Sequence, residues 1–213
     1  ISSQTPLVGF NLSYEDLVRK YRTLDQPVDL SRFVEGEDYE FTAGGVTRMV
    51  FPLLKRMLQE GIIADPHWIS LNPTGPEKIA VAGIILNHVQ MERSRVKGYW
   101  YAKETMWKAL HGIQKKIEPV DSLLWQDAFV DYTYYNRLCS ELAMQLDREK
   151  DFGMFYVNDF QQLPMANMLN IIKPKIFRWH IPFDESMIPE MWKQSLVSYF
   201  NSYDVVIVSC RKY

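Results

Sequence analysis

The chain has 213 residues, of which 47% are apolar and 23% charged, so it is long enough for one large core and too apolar to be disordered. Its formal net charge is −2 with both signs interspersed, which argues against a nucleic-acid-binding surface. Cys139 and Cys210 are too few and too far apart to suggest a disulfide framework or a zinc site. No apolar run is long enough to predict a membrane span, and the first residues lack signal-peptide features. We therefore expect a cytoplasmic protein.

The first predicted elements are two helices. Residues 14–24 predict a short helix with Ser13 as its N-cap and Asp16 completing an imperfect capping box. Apolar residues at helical spacing predict a second helix over residues 46–58, which Gly61 ends as the C′ residue.

Gly44 and Gly45 directly precede the second predicted helix. Their small size lets a ligand approach the backbone, and the positive end of the helix suits phosphate or another anion. Two glycines before a helix are more often plain turn chemistry, so the pair by itself is weak evidence for a site.

The middle of the chain predicts two strands followed by two helices. Residues 67–71 predict a strand, and residues 78–89 are a second apolar run rich in β-branched residues, as is typical of buried strands. Residues 99–117 predict an aromatic-rich helix, and Asp121 caps a longer helix that runs to about Lys150. The long helix is predicted to bury a stripe made of Leu124, Phe129, Leu138, Leu142 and Leu146.

The last third contains three short apolar runs, residues 154–160, 175–183 and 204–209, separated by helix-compatible sequence. This alternation predicts parallel strands, and ligands of open α/β sheets bind at the carboxyl ends of such strands. Asp159 follows the first run and His180 lies near the end of the second. The sequence therefore predicts one Rossmann-like α/β sandwich with a mostly parallel sheet, and a site at this edge.

Each candidate residue also has a structural interpretation. Asp159 could cap the next helix or could accept hydrogen bonds from ligand hydroxyls. His180 could be a core residue or could lie at the rim of the ligand cleft. No second His or Cys stands at metal-ligand spacing near it, so we predict no metal site and no cofactor.

An aromatic-rich segment precedes these strands. Such a stripe is more often core, although aromatic faces also pack well on sugar rings, so carbohydrate contact is the second interpretation. The segment contains Tyr99, Trp100, Tyr101, Trp107 and His111.

The order of these motifs resembles the N-terminal, acceptor-side domain of a retaining glycosyltransferase of the two-domain GT-B fold, and in particular the trehalose-6-phosphate synthase family. That family has a Gly-Gly loop, an "LWPxFH" helix, a Trp-x-x-Tyr-x-x-x-Asn helix, and strand ends reading "WxHDYHL" and "HIPFP". The corresponding segments here are Gly44–Val46, Met106–His111, Phe129–Tyr132 with Asn136, Tyr156–Leu163, and His180–Phe183.

The resemblance implies roles for the strand ends and the glycine loop. His180 would face the transferred glucose near the reacting carbon, and Asp159 would bind acceptor hydroxyls, so these two are the implied catalytic residues. Gly44 and Gly45 would shape the loop between the donor phosphates and the acceptor. The predicted organisation is an N-terminal extension over residues 1–43 and the acceptor-side domain from residue 44 to the C-terminus.

For the aromatic helix the resemblance implies that Trp107, with Tyr99 or Tyr101, holds the acceptor. The implied reaction transfers glucose from a nucleotide sugar to a sugar or sugar phosphate, with retention of configuration and without a metal. The donor-binding domain of such enzymes has no counterpart within these residues, so we expect the chain alone to be inactive. No nucleic-acid or membrane partner is expected, and the sequence is compatible with a homo-oligomer.

The departures from the family motifs leave the acceptor open. Asn158 and Gln161 replace the two histidines of "HDYH", and Asp184 replaces the second proline of "HIPFP". The family's early Ser-Asn-Arg element, which grips the acceptor phosphate, has no clear counterpart before Gly44. The alternatives are a relative that makes free trehalose or a glucosylglycerol-type solute, and a non-catalytic module that kept the fold.

Overall fold

A computed structural model describes most of the chain, and the described residues cluster into two compact units, Ile1–Gln90 and Met91–Tyr213. No helix among them is long and apolar enough to cross a membrane. The predicted domain division at residues 43 and 44 remains a prediction. The described residues are 1–22, 24–72, 75–113, 123–182, 186, 188 and 190–209.

The first unit contains a five-stranded sheet of order β1-β5-β7-β6-β3, in which only the β6–β7 pair is antiparallel. A separate antiparallel pair joins β2 and β4. The strands are β1 (Ser2–Ser3), β2 (Val8–Phe10), β3 (Val28–Asp29), β4 (Tyr39–Phe41), β5 (His67–Leu71), β6 (Lys78–Val81) and β7 (Ile84–Val89), and the helices are α1 (Tyr14–Tyr21) and α2 (Gly45–Gln59), with a 3-10 turn over Leu30–Arg32.

The helix signals of the first unit are confirmed, but one strand prediction is wrong. Ser13 accepts a hydrogen bond from the backbone N–H of Asp16, and Gly61 has a φ of +67° just after α2. The run predicted as one strand over residues 78–89 is instead the β6–β7 hairpin. Ala82 and Gly83 form its turn with φ values of +49° and +81°, the left-handed pair that a tight type I′ hairpin requires.

The second unit contains three parallel strands in the order β8-β9-β10. Their central residues Val157, Phe177 and Val206 lie side by side, and the first two are fully buried. The mostly parallel α/β architecture is therefore as predicted. The elements are α3 (Arg93–Leu110), α4 (Leu123–Lys150), β8 (Phe155–Asn158), a 3-10 turn over Phe160–Gln162, α5 (Met165–Met168), β9 (Lys175–Arg178), α6 (Glu190–Phe200) and β10 (Val205–Ile207).

The long helix α4 buries a different face from the predicted one. Of the predicted stripe, Leu146 is buried, whereas Phe129, Leu138 and Leu142 are only partly buried, and the Leu124 side chain is not among those described. Polar side chains can occupy the buried face because backbone carbonyls opposite it accept their hydrogen bonds. The buried residues of α4 are Ala128, Tyr132, Tyr135, Asn136, Cys139, Ser140, Ala143 and Leu146.

The helix α3 begins at Arg93, six residues before the predicted start, and its described part ends at Leu110. The rest of the predicted helix beyond residue 113 and the predicted cap Asp121 lie outside the described residues.

The close approach of α3 to α4 depends on Gly98. A Cβ at this position would lie 2.1 Å from Oδ2 and 3.3 Å from Cβ of Asp131, which also binds Arg95 at 2.9 Å. Gly98→Ala is therefore expected to displace the Asp131 carboxylate from Arg95; an overpacking cost of about 1–2 kcal/mol, less the roughly 1 kcal/mol by which Ala favours a helix over Gly, leaves a net fall in the free energy of unfolding of up to about 1 kcal/mol, measured by denaturant titration. Gly153→Ala is the matched control because nothing lies within 4 Å of its Cβ. Equal stability of the two variants would contradict this account.

Candidate active site

The carboxyl ends of β8 and β9 bring Asp159 and His180 together. Asn158 lies opposite Arg178 in the parallel pair, so the next residues of both strands emerge at the same edge. The Asp159 backbone N–H donates to the Arg178 carbonyl at 2.9 Å. The His180 backbone N–H lies near enough to the Asp159 carboxyl to lower its pKa. This geometry agrees with the sequence prediction that Asp159 and His180 lie at the same edge of the sheet.

Asp159 has an unusual backbone and a buried side chain. Its φ of +66° and ψ of 166° lie in a region that residues with a Cβ rarely adopt. Only 5% of the residue is exposed. It occupies the N-cap position of the following 3-10 turn, yet its side chain makes no capping hydrogen bond. The capping interpretation therefore gains no support, and the strained backbone makes Asp159 a candidate for a functional role.

Burial raises the pKa of Asp159 to about 6. The backbone N–H groups of Phe160 and His180, and the charge of His111, partly oppose this rise. Within the described part of the chain, Oδ1 of Asp159 is buried without a hydrogen-bond partner. The carboxyl is thus ionised at pH 7 and keeps the capacity to accept a hydrogen bond from a ligand hydroxyl.

His180 is half-buried and has a defined tautomer. Its Nε2 lies 2.9 Å from Oδ1 of Asn158, and since an amide oxygen only accepts, Nε2 carries the proton. Burial, together with the charge of Arg178, lowers the pKa of His180 to about 4. The imidazole is therefore neutral at pH 7, and its Nδ1 is a hydrogen-bond acceptor.

The end of α3 adds an aromatic pair to this edge. The rings of Trp107 and His111 lie 4.3 Å apart, and His111 Nδ1 donates to the Trp107 carbonyl at 2.8 Å. His111 is close enough to Asp159 to influence its pKa. His111 was not selected as a site residue from the sequence, although it ends the helix motif that contains Trp107.

The two predicted acceptor-binding tyrosines lie in different environments. Tyr99 has no exposed surface, and its ring packs 4.6 Å from that of Tyr135 and stacks parallel to Tyr132. The charge of Asp159 contributes to raising the pKa of its buried hydroxyl, after the larger effect of burial. Tyr101 is only partly buried. Contact of either tyrosine with an acceptor stays a prediction.

The glycine pair opens a helix as predicted. Gly44 is the N-cap of α2 and Gly45 its first residue, and the Thr47 hydroxyl donates to the Gly44 carbonyl at 2.7 Å. The first N–H groups of the helix have no intrahelical partner, as an anion site requires. The pair lies in the first unit, and its predicted proximity to Asp159 remains a prediction.

A polar surface groove of about 380 Å³ lies elsewhere in the second unit. Arg95 in its wall is already paired with Asp131. No group of three or more His, Cys, Asp or Glu residues suited to a metal ion occurs in the described ranges. The groove is lined by Glu92, Ser94, Arg95, Asp127, Val130 and Asp131.

Residues 81–213, more than half of the chain, match the family described as "Trehalose synthase, N-terminal domain". The chain belongs to this family. No curated protein matches it. The matched residues include the motifs at the aromatic helix and the two strand ends, and their order agrees with this membership.

Solved structures similar to this chain include trehalose-6-phosphate synthases. The E. coli protein bound to UDP-2-fluoro glucose has a TM-score of 0.62 and 19% identity over 80% of this chain and 38% of its own. A Burkholderia xenovorans synthase in complex with glucose-6-phosphate has a TM-score of 0.61 and 19% identity over 77% of this chain and 36% of its own.

At these identities the structural matches establish the fold, and this chain spans little more than a third of the length of either synthase. The predicted Rossmann-like fold of the GT-B acceptor side is confirmed, and with the family it supports a glycosyltransferase.

Proposed function

We propose that this chain is the acceptor-side domain of a retaining glucosyltransferase that moves glucose from a nucleotide sugar to a sugar or sugar-phosphate acceptor. The observation that carries the proposal is the Asp159–His180 pair at the carboxyl ends of β8 and β9, where α/β sheets bind ligands. Two similar structures support the substrate classes, since they contain UDP-2-fluoro glucose and glucose-6-phosphate.

Asp159 is suited to orient the acceptor. Its carboxylate is ionised at pH 7, and its strained backbone fixes the direction of the side chain. A hydrogen bond from a sugar hydroxyl to a buried carboxylate is stronger than one to a neutral group. Trp107, next to His111, offers an aromatic face on which a sugar ring can pack.

His180 is suited to contact the transferred glucose. Because Nε2–H is held by Asn158, the imidazole ring has a fixed orientation and stays uncharged. In the transfer, the bond between the anomeric carbon and the phosphate oxygen breaks, and a bond to the acceptor oxygen forms. The acceptor proton leaves with the nucleoside diphosphate, whose developing charge N–H groups facing it would stabilise.

An acceptor panel tests this function in the full-length protein. A nucleoside diphosphate glucose is the donor, and glucose, glucose 6-phosphate or glycerol is offered as the acceptor. The glycosylated product and the released nucleoside diphosphate are identified by NMR. We expect an α-linked disaccharide from glucose or from glucose 6-phosphate, formed with retention. An inverted product or no transfer to any acceptor would contradict the proposal, and transfer to glycerol alone would favour a glucosylglycerol-type enzyme.

A further inference from the structure

The segment that follows Asp159 is held by side chains from outside it. Four side chains donate hydrogen bonds to carbonyls between residues 160 and 165. Tyr132 Oη donates to Phe160 O at 2.5 Å, Asn136 Nδ2 to Gln161 O at 3.2 Å, Tyr203 Oη to Leu163 O at 2.9 Å, and Ser140 Oγ to Met165 O at 3.0 Å.

Three of the four donors lie on one face of α4. Tyr132, Asn136 and Ser140 are spaced four residues apart, so they line up along the helix, and none has exposed surface. We call these three residues the α4 ladder. Buried donors need acceptors. Asn136 and Ser140 share their donors between the loop and the helix itself, at 3.0 Å to Tyr132 O and 2.9 Å to Asn136 O, whereas the Tyr132 hydroxyl donates to the loop carbonyl of Phe160.

The ladder acts on the loop that begins at Asp159. A residue with φ of +66° and ψ of 166° is strained, and such strain persists only where the surroundings over-determine the backbone. On one side Asp159 is fixed by its N–H bond to Arg178 O at 2.9 Å. On the other side the carbonyl of Phe160, the next residue, is fixed by Tyr132.

We propose that the α4 ladder, assisted by Tyr203, is a positioning device that holds Asp159 in its strained conformation and thereby sets the affinity for the acceptor. This inference rests on the proposed function. None of the four side chains is a catalytic residue, because they act on the acceptor through the backbone of the Asp159 loop. If they only filled the core, their loss would lower stability and leave acceptor kinetics unchanged.

The test uses Tyr132→Phe and Ser140→Ala in the full-length protein, since each removes one hydroxyl with little change in volume. Tyr134→Phe is the matched control, because this tyrosine lies on the same helix with its ring 4.4 Å from the Arg95 guanidinium, outside the ladder. Two quantities are measured: kcat and KM for acceptor and donor, and hydrogen exchange of the peptide that covers residues 159–165.

We expect each ladder variant to lower kcat/KM for the acceptor by about threefold to tenfold, the range for one lost hydrogen bond, mainly through KM. The donor KM and the control variant should stay unchanged, and exchange over residues 159–165 should become faster. Unchanged exchange in both ladder variants would overturn the proposal. Faster exchange with unchanged acceptor kinetics would also overturn it.

Failure of the proposed function gives a different result. A wild-type protein that transfers glucose to no acceptor would contradict the glucosyltransferase assignment. In that case acceptor binding by calorimetry replaces kinetics, and acceptor affinity that is equal in wild type and Tyr132→Phe overturns the positioning role.

Discussion

Asp159→Asn in the full-length protein is expected to lower kcat/KM for the acceptor by roughly 10- to 100-fold. A hydrogen bond to a charged group contributes about 1.5–3 kcal/mol, and the amide keeps the shape of the side chain but loses its charge. Asp127→Asn is the control because this carboxylate is exposed and lies in the separate polar groove. The measurement is steady-state kinetics with the acceptor concentration varied. If Asp159→Asn and Asp127→Asn both had the wild-type kcat/KM for the acceptor, the assigned role of Asp159 would be contradicted.

The same substitution should raise stability at pH 7. Burial raises the pKa of Asp159 to about 6 in the folded protein, whereas an unfolded Asp titrates near about 3.9. The folded state therefore binds the extra proton between these values, and the free energy of unfolding falls as the pH rises from about 4 to about 6. The difference of two units between the folded and unfolded pKa corresponds to roughly 2–3 kcal/mol of unfolding free energy. The wild type loses this stability as the pH rises, and the neutral Asn variant does not.

Denaturant titrations of wild type and Asp159→Asn at about pH 4.5 and about pH 7 measure this effect. The stability advantage of the variant should be larger at the higher pH. An Asn variant that is less stable than the wild type at both values would show that the carboxylate is not destabilised by burial. Activity of the wild type should likewise decline as the pH falls through about 6, because the carboxyl becomes neutral.

His180→Ala is expected to lower kcat by roughly 10²-fold, the size of effect seen when one preorganised polar group is removed near a reacting centre. The pKa of His180 is lowered to about 4, so the wild-type pH profile should show no imidazole titration near neutrality. In His180→Ala the remaining activity should still fall as the pH drops through about 6, because Asp159 becomes protonated there.

His180→Gln serves as the comparison, since its amide can still donate to Asn158 in place of the Nε2–H bond of 2.9 Å. We expect Gln to recover the thermal stability that Ala loses but not the activity. A glutamine variant with wild-type kcat would show that His180 is structural and does not contact the transferred glucose.

Local signals predicted the elements that position the site. The apolar runs ending in Asp159 and His180 correspond to β8 and β9, because a buried strand needs continuous apolar residues and its end does not. The capping signal at Ser13 and the left-handed Gly61 likewise depend on neighbouring residues alone.

The errors arose where distant residues or rare conformations decide the structure. The hairpin turn uses Ala82 at positive φ, where Asn or Gly is the usual sequence signal. The buried face of α4 carries Asn136 and Ser140 because carbonyls of the helix and of the loop accept from them, and apolar periodicity contains no information on the loop acceptors. The closeness of His111 to Asp159 depends on the packing of α3, which one sequence does not reveal.

A structure of the full-length protein with acceptor and nucleoside diphosphate bound tests the central claim most directly. The account predicts an acceptor hydroxyl within about 3 Å of the Asp159 carboxylate and the His180 ring facing the position of the transferred sugar. An acceptor bound only elsewhere, for example in the groove beside Arg95, with Asp159 sealed by protein atoms, would contradict it.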